Sequence, residues 1–365
     1  MKKIKKKLSF LYKSLIRLLF IIVYGKIIFC KNPENEKDIS IGEVKDEKLK
    51  DSDNHKYLIF KIKNGRIFND FVENVAIISG NKIIDKVSYQ QVKGEFKDAN
   101  HNSVLYKGTP YLKRKFKGRV LSLTQGASGH RNYFHWLYDI LPKIKICSKN
   151  YNLEEIDYLY ISELETYQKS TLEILGYDNF RIIDANKNRH IQADEIICSE
   201  HPWYKKGFIL EEAKKLPGWI VRWINNSFIN YGKQFNCNEK IFIDRSESTF
   251  SHCQFVNNKE IINFLKNEGF TSYKVGQLSF QEQIYLFNNA KIIIGAHGAA
   301  FANLVFCKKN TKIIEIKPKT HPNYVDQHIS KINELNFNLI ETDHFEDKDK
   351  KGDIFFNPID FKKFL

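Results

Sequence analysis

Between Lys240 and Ile316 the chain alternates apolar, β-branched runs with amphipathic stretches at a regular interval. The pattern predicts strands at Lys240–Asp244, Ser272–Val275, Lys291–Ile294 and Lys312–Ile316, and helices at Lys259–Asn267 and Phe280–Asn288. Ser279 with Glu282 makes a capping box at the start of the second helix. Strands separated by helices of this length can pair only in parallel, through right-handed crossovers. The result is an α/β, doubly wound sheet, which takes its ligands beyond the carboxyl ends of its strands.

One such end is Ile292–Asn303. Three isoleucines give way to Gly295 and Gly298, and small residues then suit the first turn of a helix. A strand, a glycine turn and a helix start together present free N–H groups to an anion such as a nucleotide diphosphate. His297 stands inside the turn, either against the diphosphate or as a residue that shapes the turn. The spacing lacks the third glycine of G-x-G-x-x-G, and Phe301-Ala302 stands where a Walker lysine would fall, which argues against a nicotinamide dehydrogenase or a P-loop ATPase.

The formal charge of +15 invites a nucleic-acid reading, but nine cations lie in the first 31 residues and the remaining 334 carry only +6. Leu8–Cys30 is apolar but interrupted by Lys13, Arg17 and Lys26, too short an uninterrupted run for a membrane span. Lys6, Lys13 and Arg17 project to one side of a helix, and Leu8, Leu11, Leu15, Leu18 and Ile22 to the other. Such a basic amphipathic helix suits an anionic membrane surface; a signal anchor and a helix packed on the protein's own core are the alternatives. The favoured expectation is peripheral attachment at the cytoplasmic face. The six scattered cysteines form neither a zinc pattern nor a dense disulfide framework, which fits free thiols in a reducing compartment.

The expected organisation is a basic segment and polar linker (1–54), an acceptor-side α/β domain (55–205), an α/β domain carrying the anion-binding turn (206–345) and a tail (346–365). Asn64-Gly65 and Gly80-Asn81 read as hairpin turns. A strand at Arg119–Leu123 leads through the Gln125–Gly129 loop into a helix over Asn132–Cys147.

Three sets of residues carry candidate chemistry. On that helix His135 and Asp139 are i and i+4 and share a face, as either a carboxylate-oriented general base or a structural hydrogen bond. Arg245, just after a strand, can pair with a phosphate or make a surface ion pair. Glu315, on the strand Lys312–Ile316, can accept from ribose hydroxyls or face solvent. No His/Asp/Glu set shows metal-ligand spacing, so neither a metal nor another cofactor is expected.

Taken in order, Asn132-Tyr133-Phe134-His135-Trp136-Leu137-Tyr138-Asp139 with Leu141-Pro142, then Asp244-Arg245-Ser246 with Phe255-Val256-Asn257-Asn258, then Gly295-Ala296-His297-Gly298-Ala299 with Asn303-Leu304-Val305-Phe306 resemble glycosyltransferase family 61. That family includes plant xylan-decorating transferases and bacterial proteins associated with capsular polysaccharide. Gln281–Gln283 and Ile313–Glu315 match further family positions. The resemblance implies a GT-B-like fold, two Rossmann-like halves facing a cleft, and inverting, metal-independent transfer from a nucleotide-sugar donor to a glycan or glycolipid acceptor. It assigns His135, oriented by Asp139, as base. Donor binding falls to Arg245, Gly295, His297, Gly298 and Glu315, with Asn303 holding the turn or the ribose. The chain departs from the family where Asp244 replaces the usual serine before Arg245, and where His252-Cys253-Gln254 lacks a second arginine. The rival expectation is a non-catalytic polysaccharide-binding or assembly protein with this fold. A nucleic-acid partner is not expected.

Overall fold

The strands from Lys240 onward form a five-stranded, wholly parallel sheet in the spatial order Thr271–Tyr273, Lys240–Ile243, Ile292–Ala296, Lys312–Pro318, Asn336–Thr342. In chain order this is 2-1-3-4-5, a doubly wound arrangement whose order reverses between Lys240–Ile243 and Ile292–Ala296. Helices cross over at Asn258–Asn267, Phe280–Asn289 and Val325–Ile332, and the expected capping box at Ser279 and Glu282 is formed. Lys312–Pro318 is buried along nearly its whole length, as a central strand covered on both faces must be. A core of Phe242, Ile294, Ile314, Ile261 and Leu265 also takes in Ile354, Phe356 and Phe361. Ile354, Phe356 and Phe361 of the expected tail thus pack into this core.

The computed structural model describes residues 2–46, 49, 56–71, 74–124, 131–205, 207–208, 211, 213–247, 253–321, 323–343 and 352–365. The expected Gln125–Gly129 loop and His252 lie outside them. The chain divides into two compact units, Met1–Glu165 with Asn179–Glu212, and Thr166–Asp178 with Ala213–Leu365. The helix Thr166–Ile174 falls in the second unit.

Among its described residues the first unit is built on a thirteen-stranded mixed sheet rather than a simple Rossmann repeat. Its parallel part runs Arg181–Asp184, Tyr158–Ile161, Arg114–Ser122, His190–Ser199. Antiparallel strands continue it, because the short runs after residue 57 are joined by turns too tight for a helical crossover. Gly80-Asn81 closes a hairpin, with Gly80 at φ 55°. Asn64-Gly65 does not: Leu58–Lys63 and Arg66–Phe71 each pair instead with the long strand His190–Ser199. Ile39–Glu43, within the expected linker, is a strand paired with Leu58–Lys63. Its alternating Ile39 and Ile41 pack on the core, a short period-2 signal hidden in a polar stretch.

Residues Lys2–Tyr24 form one helix. Its carboxyl end is tied down by Arg66, which donates to the carbonyl of Tyr24 (3.4 Å), to the carbonyl of Gly80 and the side chain of Asn81 (both 3.0 Å), and to Thr109 (3.2 Å). The Tyr24 hydroxyl accepts from the backbone N–H of Lys113 (3.0 Å). Among the described residues no helix is long and apolar enough to cross a membrane.

Candidate functional site

In the first unit the candidate chemistry gathers beyond two neighbouring parallel strands, Arg114–Ser122 and His190–Ser199. The helix carrying His135 follows the first, and the segment His201–Tyr204 follows the second. Asn132 caps the helix start, its side chain accepting from the N–H groups of Phe134 and His135 (3.0 and 3.3 Å). Across Trp136–Ile140 the helix widens into a π turn before returning to α geometry at Leu141–Cys147. Sequence periodicity reads this stretch as a uniform α-helix; such π insertions are frequent at functional sites.

His135 Nδ1 lies 2.7 Å from Asp139 Oδ2, so the expected pair is formed. Asp139 is fully buried, whereas the His135 side chain is 24% exposed. Because an ionised carboxylate can only accept, Nδ1 carries a proton, and in the neutral ring the lone pair is on Nε2. Burial works to raise the Asp139 pKa, but the adjacent His135 and His201 outweigh it, and the carboxyl titrates below its ordinary value. Trp203 Nε1 donates to Asp139 Oδ1 at 2.7 Å, and His201 Nε2 stands 3.7 Å from Oδ2. His201 and Trp203 lacked a functional assignment in the sequence reading; their signal is a His-Pro-Trp run at the end of a buried strand.

The second unit places Arg245 and the Gly295–Gly298 turn together at the point where its strand order reverses. Arg245 Nη1 donates to the carbonyl oxygens of His297 and Cys253, the latter at 3.3 Å. It is half-buried against the turn, and burial lowers its pKa. Gly298 is required by this approach, since a Cβ there would lie 2.5 Å from the Arg245 Cζ. Gly295 faces Ile243, whose Cβ would stand 2.9 Å from an added methyl. Asp244, in place of the family's serine, accepts from the Ser246 N–H and from Asn258 (both 2.9 Å), closing the loop after the strand.

His297 is buried, with Nδ1 2.5 Å from Glu315 Oε1 and 3.1 Å from Asp326 Oδ2. Burial disfavours its charge, but the adjacent Asp326 and Glu315 carboxylates prevail and raise its pKa to about 9. Glu315 is pushed upward by burial and by Asp326, against His297 and Lys317. At 3% exposure, Glu315 does not face solvent; it holds His297. Asn303 is likewise committed, donating to Gln283 Oε1 (2.9 Å) and to the carbonyl of Ala300 (3.2 Å). It holds the turn onto the helix Phe280–Asn289. Asp326 was missed because its helix lies beyond the last strand the sequence reading recognised, although Val325 and Ile329 carry the helical spacing.

His297, Glu315 and Asp326 have ligand atoms within 4.8 Å of one another, a metal-capable set that linear spacing did not reveal. Three chain segments supply it, and the sheet brings them together. Around it, half-buried Arg245 and buried His297 and Lys317 stand against buried Glu315, Asp326 and Asp353. A divalent ion would have to displace the proton that His297 holds between the two carboxylates.

Residues 133–314, half of the chain and taking in His135, Asp139, Arg245 and His297, match the family model described as Glycosyltransferase 61. The match marks the chain as a glycosyltransferase. More narrowly, it belongs to glycosyltransferase family 61. No curated protein matches it. Among solved structures the chain is similar to the dodecameric iron-containing heptosyltransferase TibC in complex with ADP-D-beta-D-heptose, at 12% identity over 73% of this chain and 78% of that one, with a TM-score of 0.29. It is also similar to the bacterial iron-containing dodecameric glycosyltransferase TibC from enterotoxigenic E.coli H10407, at 12% identity over 80% and 81%, again with a TM-score of 0.29. A likeness of that size carries no argument about this chain.

Proposed function

We propose that this glycosyltransferase inverts the anomeric centre, works without a metal, and moves a sugar from a nucleotide-sugar donor to a glycan or glycolipid acceptor in surface or capsular polysaccharide synthesis. The observation that carries this reading is the His135–Asp139 pair, a partly exposed imidazole whose Nδ1 is committed to a buried carboxylate. Nε2 then takes the proton of an acceptor hydroxyl. The oxygen attacks the anomeric carbon through an oxocarbenium-like transition state, and the bond to the nucleoside diphosphate breaks. A single displacement of this kind inverts configuration.

The donor side is assigned to the second unit, as the second half of a GT-B arrangement. Arg245, the charged His297 and the N–H groups at the start of the Ala299–Phe306 turn offer positive potential to the departing diphosphate. This is the electrostatic task a metal performs elsewhere. The helix Lys2–Tyr24 is assigned to the inner face of an anionic membrane, which would keep the enzyme near a lipid-linked acceptor.

The test begins with a thermal-shift screen of nucleoside diphosphates and nucleotide sugars, in which a bound ligand raises the melting temperature by mass action. With the donor so identified, His135→Ala should lower turnover by about 10²–10⁴-fold and leave the thermal shift unchanged. Activity should persist in EDTA. A lost thermal shift in His135→Ala would move His135 to donor binding, and loss of activity in EDTA would end the metal-free reading.

A further inference from the structure

The Asp139 carboxylate has three polar side chains around it, and only one of them is the base it serves. Trp203 reaches Oδ1 through its indole N–H at 2.7 Å. His201 approaches Oδ2, and its tautomer is fixed by its own surroundings: Nδ1 accepts from the backbone N–H groups of Trp203 (3.2 Å) and Tyr204 (2.9 Å). The Nδ1 lone pair is therefore occupied, the ring proton sits on Nε2, and Nε2 lies 3.7 Å from Asp139 Oδ2, an electrostatic contact longer than a hydrogen bond. Both residues are buried, and the rings of His201, Trp203 and Tyr204 pack on one another, with centroids 4.4 Å apart for His201–Tyr204 and 4.1 Å for Trp203–Tyr204. Trp203 also sits edge-on to Phe134 at 6.2 Å, beside the buried carboxylate.

We propose that Trp203 and His201 are positioning residues for Asp139, holding the carboxylate ionised and aimed at His135 Nδ1 so that His135 presents an unprotonated Nε2. Neither touches the reacting atoms; both act through Asp139. The inference rests on the reading of His135 as the base.

The direction of the effect follows from charge. The indole N–H draws off part of the Asp139 negative charge, which would otherwise stabilise a proton on His135. The charged or titratable groups acting on Asp139 and His201 are His135 and Lys143 on the same helix, and each other across the gap. Burial lowers the His201 pKa, so it stands beside Asp139 as a neutral ring. Removing the Trp203 donor leaves more charge on the carboxylate, which then holds a proton on the imidazole more firmly.

The test needs no knowledge of the donor sugar. Diethyl pyrocarbonate acylates only the unprotonated imidazole, and mass spectrometry of the His135 peptide gives its rate against pH. In Trp203→Phe the midpoint for His135 should move upward by about half a pH unit or more. His201→Phe should move it the same way, and His201→Gln, whose amide retains a donor and an acceptor, should restore it. With the donor found by thermal shift, Trp203→Phe should lower kcat about tenfold to hundredfold with KM little changed, and the acid limb of its pH profile should follow the shifted midpoint. Loss of stability alone would lower activity equally at every pH and leave the midpoint in place, and that result overturns the proposal. The His201 pair carries the same test if Trp203→Phe does not fold. A fully active His135→Ala would remove the base and this proposal together. An inactive His135→Ala beside unshifted Trp203 and His201 variants would overturn the positioning role alone.

Discussion

At the scale of single residues, the second unit turns on one imidazole. His297 bonds Glu315 and faces Asp326, while its backbone carbonyl anchors Arg245. Its pKa is raised above the ordinary value for histidine. A group raised in this way contributes stability that is fully present below its unfolded pKa and lost as pH climbs through the folded one. Glu315, also raised, works in the same direction. The stability advantage of the native protein over His297→Gln should therefore be largest near about pH 6 and shrink toward about pH 10, as measured by urea unfolding across that range. An advantage that grows with pH would mean that His297 is neutral. Asp139 has the opposite sign: its lowered pKa gives stability that is lost only as pH falls into the acid range.

At the scale of elements, regular strand and helix alternation was legible because each element buries an apolar stripe and repeats its neighbour's pattern. Lys240–Ile243, Ile292–Ala296 and the capped helix Phe280–Asn289 lie close to where that pattern put them. What was not legible depends on contacts between segments distant in the chain. The π turn at Trp136–Ile140 leaves the residue spacing unchanged, so no periodicity announces it. The two strands around Asn64-Gly65 look like a hairpin, yet each finds a better partner in a strand more than a hundred residues away. Asn303 was readable as a ribose ligand until Gln283, on a separate helix, accounted for it. Asn303→Ala leaves Gln283 Oε1 buried without that donor and should lower unfolding free energy by about 1–3 kcal/mol, measurable in urea. Unchanged stability would show that the amide pair does not fasten the turn to its helix.

At the scale of the whole molecule, charge and apolar surface coincide at the amino terminus. The first 31 residues hold nine of the cations and no acid, while Leu11, Leu15, Leu18, Leu19 and Ile22 are all more than half exposed on the same helix. A surface helix packed on its own protein would bury that stripe. The other end of the helix is fixed, through Tyr24, to Arg66 and Lys113. The apolar stripe is therefore carried by a helix that is anchored at its carboxyl end. Attraction to an anionic lipid surface amounts to about 1 kcal/mol per nearby Lys or Arg, and it decays within a Debye length. The full chain should therefore co-sediment with phosphatidylglycerol-containing vesicles and bind pure phosphatidylcholine far less. Binding should fall as salt rises from about 0.1 M to about 1 M, where screening shortens to roughly 3 Å. Leu15→Glu with Leu18→Glu should abolish binding at either salt, because the apolar contact must follow the electrostatic approach. Vesicle binding untouched by both salt and the double substitution would place the membrane contact elsewhere on the protein, and absence of binding to anionic vesicles would remove it altogether.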